Sequence, residues 1–173
     1  MSEEVFDVVD EHDQIIGRER RSEVHRRNLR HRAVHVLVFN SEGKLFLQKR
    51  SMSKDTFPGV WDSSASGHLC CGEEYDVCAV REVKEEIGLT LERAPQRLFK
   101  IEACEETGYE HVWVYRCVSD GALTLNPDEV EEGGWFTPEA ITRWIAEKPR
   151  DFASAFPKIW ERLKPEGATE AKQ

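Results

Sequence analysis

The sequence lacks the features that mark membrane proteins, secreted proteins and proteins that bind nucleic-acid polymers. No apolar run approaches the roughly 18–20 residues that cross a bilayer, so no membrane association is expected. The N-terminus is acidic and has no basic segment followed by an apolar stretch, which argues against a secretory signal. The 173 residues carry 24 basic and 33 acidic side chains, a formal charge of −9, which argues against binding a nucleic-acid polymer.

Cysteines are few, and the chain has no internal repeats and no linker. The five cysteines are an odd number without regular spacing, which predicts reduced thiols and a cytoplasmic location. We therefore expect one domain over residues 1–163. Residues 164–173 have no apolar periodicity, and we expect them to form a flexible tail.

Basic residues are concentrated in one segment. Seven arginines lie in the segment from Arg18 to Arg32, and its only acidic residues are Glu19 and Glu23. This pattern has two interpretations: a solvated, salt-bridged surface, or a rim that binds a phosphorylated small molecule.

The order of the predicted elements indicates a mixed α/β fold with helices on the faces of a mixed sheet. An amphipathic helix is predicted over residues 74–87, with Gly88 as its C-terminal cap. Residues 51–66 are predicted to form a long functional loop. The predicted strands cover residues 5–9, 15–16, 33–39, 44–48, 97–103, 111–118 and 133–137, and the later helices cover residues 138–147 and 151–163.

Four aromatic residues lie in the predicted C-terminal helices, namely Trp144, Phe152, Phe156 and Trp160. Their spacing fits packing against the core slightly better than contact with a partner subunit. A homodimer is compatible with the sequence, and the oligomeric state stays open.

The helix over residues 74–87 gathers carboxylates on one side. At about 100° per residue, Glu82, Glu85 and Glu86 share a narrow arc, while Val83 and Ile87 face the opposite way. Like charges at this spacing destabilise a bare helix, so they are either solvated or neutralised. A hard divalent cation would neutralise them, and Mg²⁺ is the natural candidate where phosphate oxygens complete the shell. Gly67 lets a loop backbone turn tightly and present its carbonyl to the same cation.

The segment around this helix resembles the Nudix box, G-x5-E-x7-R-E-U-x-E-E-x-G-U, where U is aliphatic. Every fixed position is matched, by Gly67, Glu73, Arg81, Glu82, Val83, Glu85, Glu86, Gly88 and Leu89. The resemblance implies the Nudix fold, an α/β/α sandwich around a mixed sheet. It also implies Mg²⁺- or Mn²⁺-dependent hydrolysis of a small-molecule diphosphate linked to another moiety: a nucleotide, a sugar nucleotide or a prenyl group.

The same resemblance implies roles for the acidic residues. Glu85 and Glu86 would be direct metal ligands, and Glu82 would be either a ligand or the base that activates water. Arg81 would hold Glu82 in place, and Glu73 would support the loop or join the metal shell. Because the base varies among Nudix enzymes, Glu110 and the acidic run at residues 128–132 are alternatives.

A wider likeness, over about residues 5–140, is to the isopentenyl-diphosphate isomerases, which share the Nudix fold. It is carried by the segments at residues 31–40, 43–50, 58–61 and 126–130. The isomerases have a catalytic cysteine just before a Gly-His pair, where this chain has Ser66, a far weaker acid. Their Nudix box is also degenerate. Hydrolysis is therefore the leading hypothesis, with an isomerase or a non-catalytic diphosphate-binding module as alternatives.

The isomerase likeness implies two further sets of site residues. His25, His31, His68 and Glu110 match four of the five positions that bind a metal in the isomerases, and imidazoles with a carboxylate suit zinc or manganese. Arg50 and Lys54 match positions that contact the diphosphate. Surface histidines inherited without a metal are the alternative interpretation of the first set.

Overall fold

The computed structural model describes residues 2–163. Its strands are β1 (Val5–Val9), β2 (Ile15–Arg20), β3 (His31–Phe39), β4 (Leu45–Arg50), β5 (Trp61–Asp62), β6 (Ala65–His68), β7 (Gln96–Ile101), β8 (Glu110–Val118) and β9 (Val130–Phe136). Its α-helices are α1 (Arg21–Arg26), α2 (Tyr75–Ile87), α3 (Pro138–Glu147) and α4 (Ala155–Leu163). The predicted tail at residues 164–173 lies outside the described residues.

Strand β3 is the centre of a seven-stranded mixed sheet. It pairs in parallel with β8 over its whole length and antiparallel with β4 at Phe39 only. From Ala33 to Val36 its other edge pairs antiparallel with β6 instead. Strands β5 and β9 extend the sheet from β4, β7 extends it from β8, and β1 with β2 form a separate hairpin. The edge of β3 is thus divided between two partners.

Both faces of the sheet are covered, because β3 is apolar on both sides. Val34, Val36 and Val38 pack with buried residues of α2. The alternate residues Leu37 and Phe39 pack with residues of α3 and α4. The predicted α/β/α sandwich around a mixed sheet is therefore confirmed.

The helix predicted over residues 74–87 is confirmed as α2. Gly88 ends it in the left-handed conformation, with φ of 68°, and its N–H donates to Lys84 O at 3.1 Å. Of the C-terminal aromatic residues, Phe152, Phe156 and Trp160 are buried in the core, as their spacing favours. No helix in the described part of the chain is long and apolar enough to cross a membrane.

Several predicted elements differ from the structure. Residues 51–66 are not one loop, because β5 and β6 occupy their second half. The last helix begins at Ala155 and not at residue 151, since Ala153 N–H donates to Trp61 O at 2.9 Å and keeps the chain extended there. Helix α1 was not predicted at all.

Candidate active site

Helix α2 presents its carboxylates to strand β6. Gly67 faces Glu82 so closely that a Cβ atom at Gly67 would lie 2.1 Å from the Glu82 carboxylate. The backbone N–H of Ser66 donates to Glu86 Oε2 at 3.1 Å, and Gln48 Nε2 donates to the same oxygen. Glycine is thus required where the strand meets the helix, and the approach buries Glu82 and Glu86.

Arg81 joins the acidic residues of the site. Its guanidinium donates to Glu73 Oε1 at 2.8 Å, to Glu82 Oε1 at 2.8 Å and to Glu85 Oε2 at 3.0 Å. It also donates to His68 O at 3.1 Å, which ties α2 to β6. This contact set raises the pKa of Arg81, first through its hydrogen bond with Glu73. Arg81 therefore fixes the positions of three carboxylates.

The two buried carboxylates are electrostatically unfavourable as they stand. Burial and, to a smaller extent, repulsion from Glu82 raise the pKa of Glu86 to about 8. Burial also raises the pKa of Glu82 to about 7, against the opposing effect of Arg81. Since a cation would stabilise both ionised forms, this donor set fits a hard divalent metal.

A second cluster forms where α1, β3, β6 and β8 meet. One ring nitrogen from each of His25, His31 and His68 lies within 4.8 Å of the others. Glu110 lies beside His31 in the β3–β8 register, and its Oε1 is 2.8 Å from His68 Nε2. All four residues that the sequence predicted for a second metal site are therefore brought together.

The histidine cluster contains an unpartnered nitrogen. His31 is only 1% exposed, and its Nδ1 lies 2.8 Å from Leu29 O, which places the proton on Nδ1. Nε2 then carries a lone pair, yet it has no hydrogen-bond partner among the described residues. Burial and repulsion from its neighbours lower the pKa of His25 to about 4. His25 is thus neutral at pH 7, which is the metal-binding form of an imidazole.

Members of both groups line one cavity of about 460 Å³, namely His25, His68, Glu110, Arg81, Glu82, Glu85 and Glu86. The predicted diphosphate-binding residues Arg50 and Lys54 line it too, and so does Arg21, which the sequence did not single out. Arg50 donates to Thr56 O at 2.9 Å, and Lys54 pairs with Glu129. These side chains stand in the cavity wall with partners from their own chain.

The arginine-rich segment is mostly a salt-bridged surface. Five of its seven arginines pair with carboxylates, namely Arg18, Arg21, Arg26, Arg27 and Arg32. This favours the first of the two interpretations drawn from the sequence.

Sequence reasoning missed three buried polar residues, of which His35 and Asp62 line the cavity and Gln48 contacts Glu86. Gln48, His35 and Asp62 are each 5% exposed or less. His35 gave a signal, because it is the polar residue within the apolar run of β3. Asp62 gave none, since the pairing that buries it is long-range in sequence.

An α/β/α sandwich in which an arginine-braced carboxylate helix faces a strand glycine is typical of a class of hydrolytic enzyme domains. The sequence profile of the NUDIX domain matches residues 29–156. An uncharacterised Nudix hydrolase of Yersinia pestis is 37% identical over 160 residues, covering 91% of this chain and 85% of the relative. One from Pseudomonas aeruginosa is 38% identical over 135 residues, covering 76% and 77%.

Solved structures agree with this assignment. The crystal structure of DR0079 from Deinococcus radiodurans superposes with a TM-score of 0.83 at 28% identity, over 93% of this chain and 99% of that one. The Nudix domain of Shewanella oneidensis NrtR, in complex with ADP-ribose, has the same fold, with a TM-score of 0.60 at 16% identity over 78% and 86%. The chain belongs to the Nudix family, and it is a Nudix hydrolase.

Proposed function

We propose that the chain hydrolyses a small-molecule diphosphate linked to another moiety, using Mg²⁺ or Mn²⁺ held by the carboxylates of α2. The observation that carries this proposal is the buried pair Glu82 and Glu86, neighbours on one side of α2 that lie against Gly67 and Ser66 of β6. Two ionised carboxylates in this setting need a cation. The substrate classes we consider are nucleotides, sugar nucleotides and prenyl diphosphates.

The residues present fit the metal. Glu85 and Glu86 would be its direct ligands, with Glu73 and the Gly67 carbonyl as further oxygen donors, which leaves Glu82 to act on water. A divalent cation bound there would offset the charge that develops on the phosphate oxygens. Glu85 is partly exposed, which suits a ligand shared with a substrate that enters from the cavity.

The water molecule that attacks phosphorus needs a base. Arg81 holds Glu82 Oε1, whereas Glu82 Oε2 accepts no hydrogen bond from the described residues. We assign Glu82 Oε2 as the acceptor of the water proton. As the water oxygen bonds to phosphorus, the bridging P–O bond breaks and a monophosphate leaves.

A second metal site, for Zn²⁺ or Mn²⁺, is also proposed at His25, His31, His68 and Glu110. The lone pair of His31 Nε2 supports it, because a buried acceptor without a partner is costly unless something binds it. Imidazoles and a carboxylate are the ligands that these metals take. A metal there would lie in the wall of the same cavity.

The family comparisons guide the choice of substrates to test. The Shewanella domain binds ADP-ribose, and a Caenorhabditis elegans relative of the same fold is an Ap4A hydrolase, with a TM-score of 0.55 at 17% identity. The test measures phosphate and pyrophosphate release from nucleoside, sugar-nucleotide, coenzyme and prenyl diphosphates with Mg²⁺ or Mn²⁺. We expect release from one class, lost in Glu86→Gln and retained in Glu74→Gln, an exposed residue just before α2.

Two outcomes would contradict the proposal. Full activity of Glu86→Gln would exclude the metal role of that carboxylate. Conversion of isopentenyl diphosphate to its isomer without phosphate release would favour the isomerase alternative in spite of Ser66. The cytoplasmic location remains a prediction from the sequence, and the oligomeric state stays open.

A further inference from the structure

His35 is a buried imidazole in the cavity wall that the chemistry above does not use. It lies in the middle of β3 and is 5% exposed. Its neighbours on the same face are Ala33 and Leu37, which belong to the core cluster under α3 and α4. A polar side chain in this position needs a structural or a functional reason.

The inner nitrogen of His35 is held by the segment after β5. Nδ1 lies 2.8 Å from Ser63 Oγ and 3.6 Å from Asp62 Oδ1. Ser63 is fully buried, and its hydroxyl has no other partner among the described residues. If Nδ1 carried the ring proton, the hydroxyl proton would be left unsatisfied. The hydroxyl therefore donates to Nδ1, and the ring proton lies on Nε2.

The outer nitrogen of His35 faces the cavity. Nε2 has no hydrogen-bond partner among residues 2–163. It is not fully buried, because among these residues the only fully buried side-chain nitrogen or oxygen without a partner is His31 Nε2. His35 also lines the cavity. Its N–H is thus a fixed donor directed at whatever the cavity binds.

This donor lines the same cavity as the carboxylate site. His35 pairs with Ser66 across the β3–β6 ladder, and Ser66 in turn donates its backbone N–H to Glu86. The imidazole lies on the sheet face under α3 and α4, whereas α2 covers the other face, so the two groups reach the cavity from opposite sides of β3.

The basic side chains that line the cavity are already paired with carboxylates. Arg50 faces Asp62 at 3.5 Å, Lys54 pairs with Glu129, and Arg21 contacts Asp55 at 2.9 Å. Their positive charges are already balanced by carboxylates, whereas a diphosphate presents many oxygens that accept hydrogen bonds. An imidazole N–H donor held at a fixed angle adds directional recognition.

We propose that His35 binds a phosphate oxygen of the substrate through Nε2–H, with Ser63 as the positioning residue that fixes its tautomer. This assignment rests on the proposed hydrolase function and adds a binding residue on the strand beside the metal ligands. If His35 had only a structural role, its hydrogen bond with Ser63 would be the important contact, and the loss of its Nε2–H donor would have no effect on activity.

Two substitutions separate these roles. His35→Asn keeps an acceptor near the position of Nδ1 and removes the donor at Nε2, while His35→Gln keeps an amide donor near Nε2 and loses the inner bond. For the diphosphate that the chain hydrolyses, we expect kcat/KM to fall about 10- to 100-fold in His35→Asn, and to fall less in His35→Gln. The exposed His12→Asn is the unchanged control. The reverse order, with His35→Asn fully active and His35→Gln unstable, would overturn the proposal.

A binding measurement keeps this test separate from the hydrolase proposal. The imidazole ¹⁵N signals of the wild-type chain are followed while methylenediphosphonate is added with Mg²⁺, and His35→Asn identifies the His35 signal. A shift of the Nε2 signal supports the contact even if no substrate is hydrolysed. An unmoved His35 signal, whether other cavity residues respond or no binding is seen, refutes it.

Discussion

Removing the charge of Glu86 is expected to stabilise the metal-free protein. Its pKa is raised from 4.5 to about 8, so the folded chain binds a proton that the unfolded chain has released at neutral pH. The folding stability therefore falls as pH rises between about 4.5 and about 8. Glutamine has nearly the same shape and can still accept from Ser66 and Gln48, but it does not titrate.

The size of the effect follows from the pKa difference. At pH 7 the raised pKa corresponds to about 3 kcal/mol of lost stability. For a chain of this length, about 3 kcal/mol shifts the unfolding temperature by roughly 6–12 °C. Part of this lost stability belongs to the pair and not to Glu86 alone, because Glu82 and Glu86 are neighbouring carboxylates whose titrations are linked.

The assay is thermal unfolding in EDTA at several pH values from 5 to 8, followed by circular dichroism. Wild type should lose stability as pH rises, and Glu86→Gln should lose much less. Mg²⁺ should restore the wild type at pH 8 and have little effect on the variant. Equal pH slopes for the two proteins, or equal stabilisation by Mg²⁺, would refute the electrostatic reasoning.

Three other substitutions test the remaining parts of the site. Gly67→Ala should displace the Glu82 carboxylate, which should lower the folding stability by about 1–3 kcal/mol and should also lower the rate of phosphate release. An unchanged unfolding temperature would contradict the close approach. Arg81→Gln should lower kcat about 100-fold with a smaller change in KM, because the carboxylates lose their alignment; equal effects on both would argue against positioning. His31→Ala should abolish binding of one equivalent of Zn²⁺ or Mn²⁺ in calorimetry while Mg²⁺-dependent stabilisation persists; unchanged stoichiometry would exclude the histidine site.

The sequence predicts the carboxylate helix well because its signals are local. The 3.6-residue periodicity, the run of charges and the glycine cap all lie within α2 and the residues after it. The same holds for β3, whose continuous apolar run marks a strand covered on both faces. These elements need no knowledge of distant residues.

The segment at residues 61–68 escaped prediction for the opposite reason. Its serines suggest a loop. In the structure, however, the hydroxyl group of Ser64 bonds to backbone groups of the neighbouring strands, in place of a backbone partner. Ser64 Oγ donates to Phe46 O and accepts from Val38 N–H at 2.8 Å, so a polar residue is buried between two strands. Such contacts depend on residues about 20 positions away and leave no periodic pattern.

The candidate site shows the same division. The Nudix-box residues follow from spacing, and the four members of the histidine cluster follow from the isomerase resemblance. The engagement of Arg50 with Thr56 and Asp62 could not be predicted, because the residue type indicates a cation and does not indicate its partner. Its contact with the diphosphate stays a prediction.

The attachment of residues 51–60 has a consequence for how this domain diversifies. Backbone hydrogen bonds close the segment at its base, where Arg50 N–H donates to Val60 O at 2.8 Å and Gly59 N–H donates to Arg50 O at 3.0 Å. The Arg50 side chain holds its middle mainly through the carbonyls of Thr56 and Phe57, with one longer contact to Thr56 Oγ1 at 3.4 Å. Natural selection can therefore change side chains there without disturbing the sheet, so new substrate preferences can arise while the hydrolytic residues stay as they are.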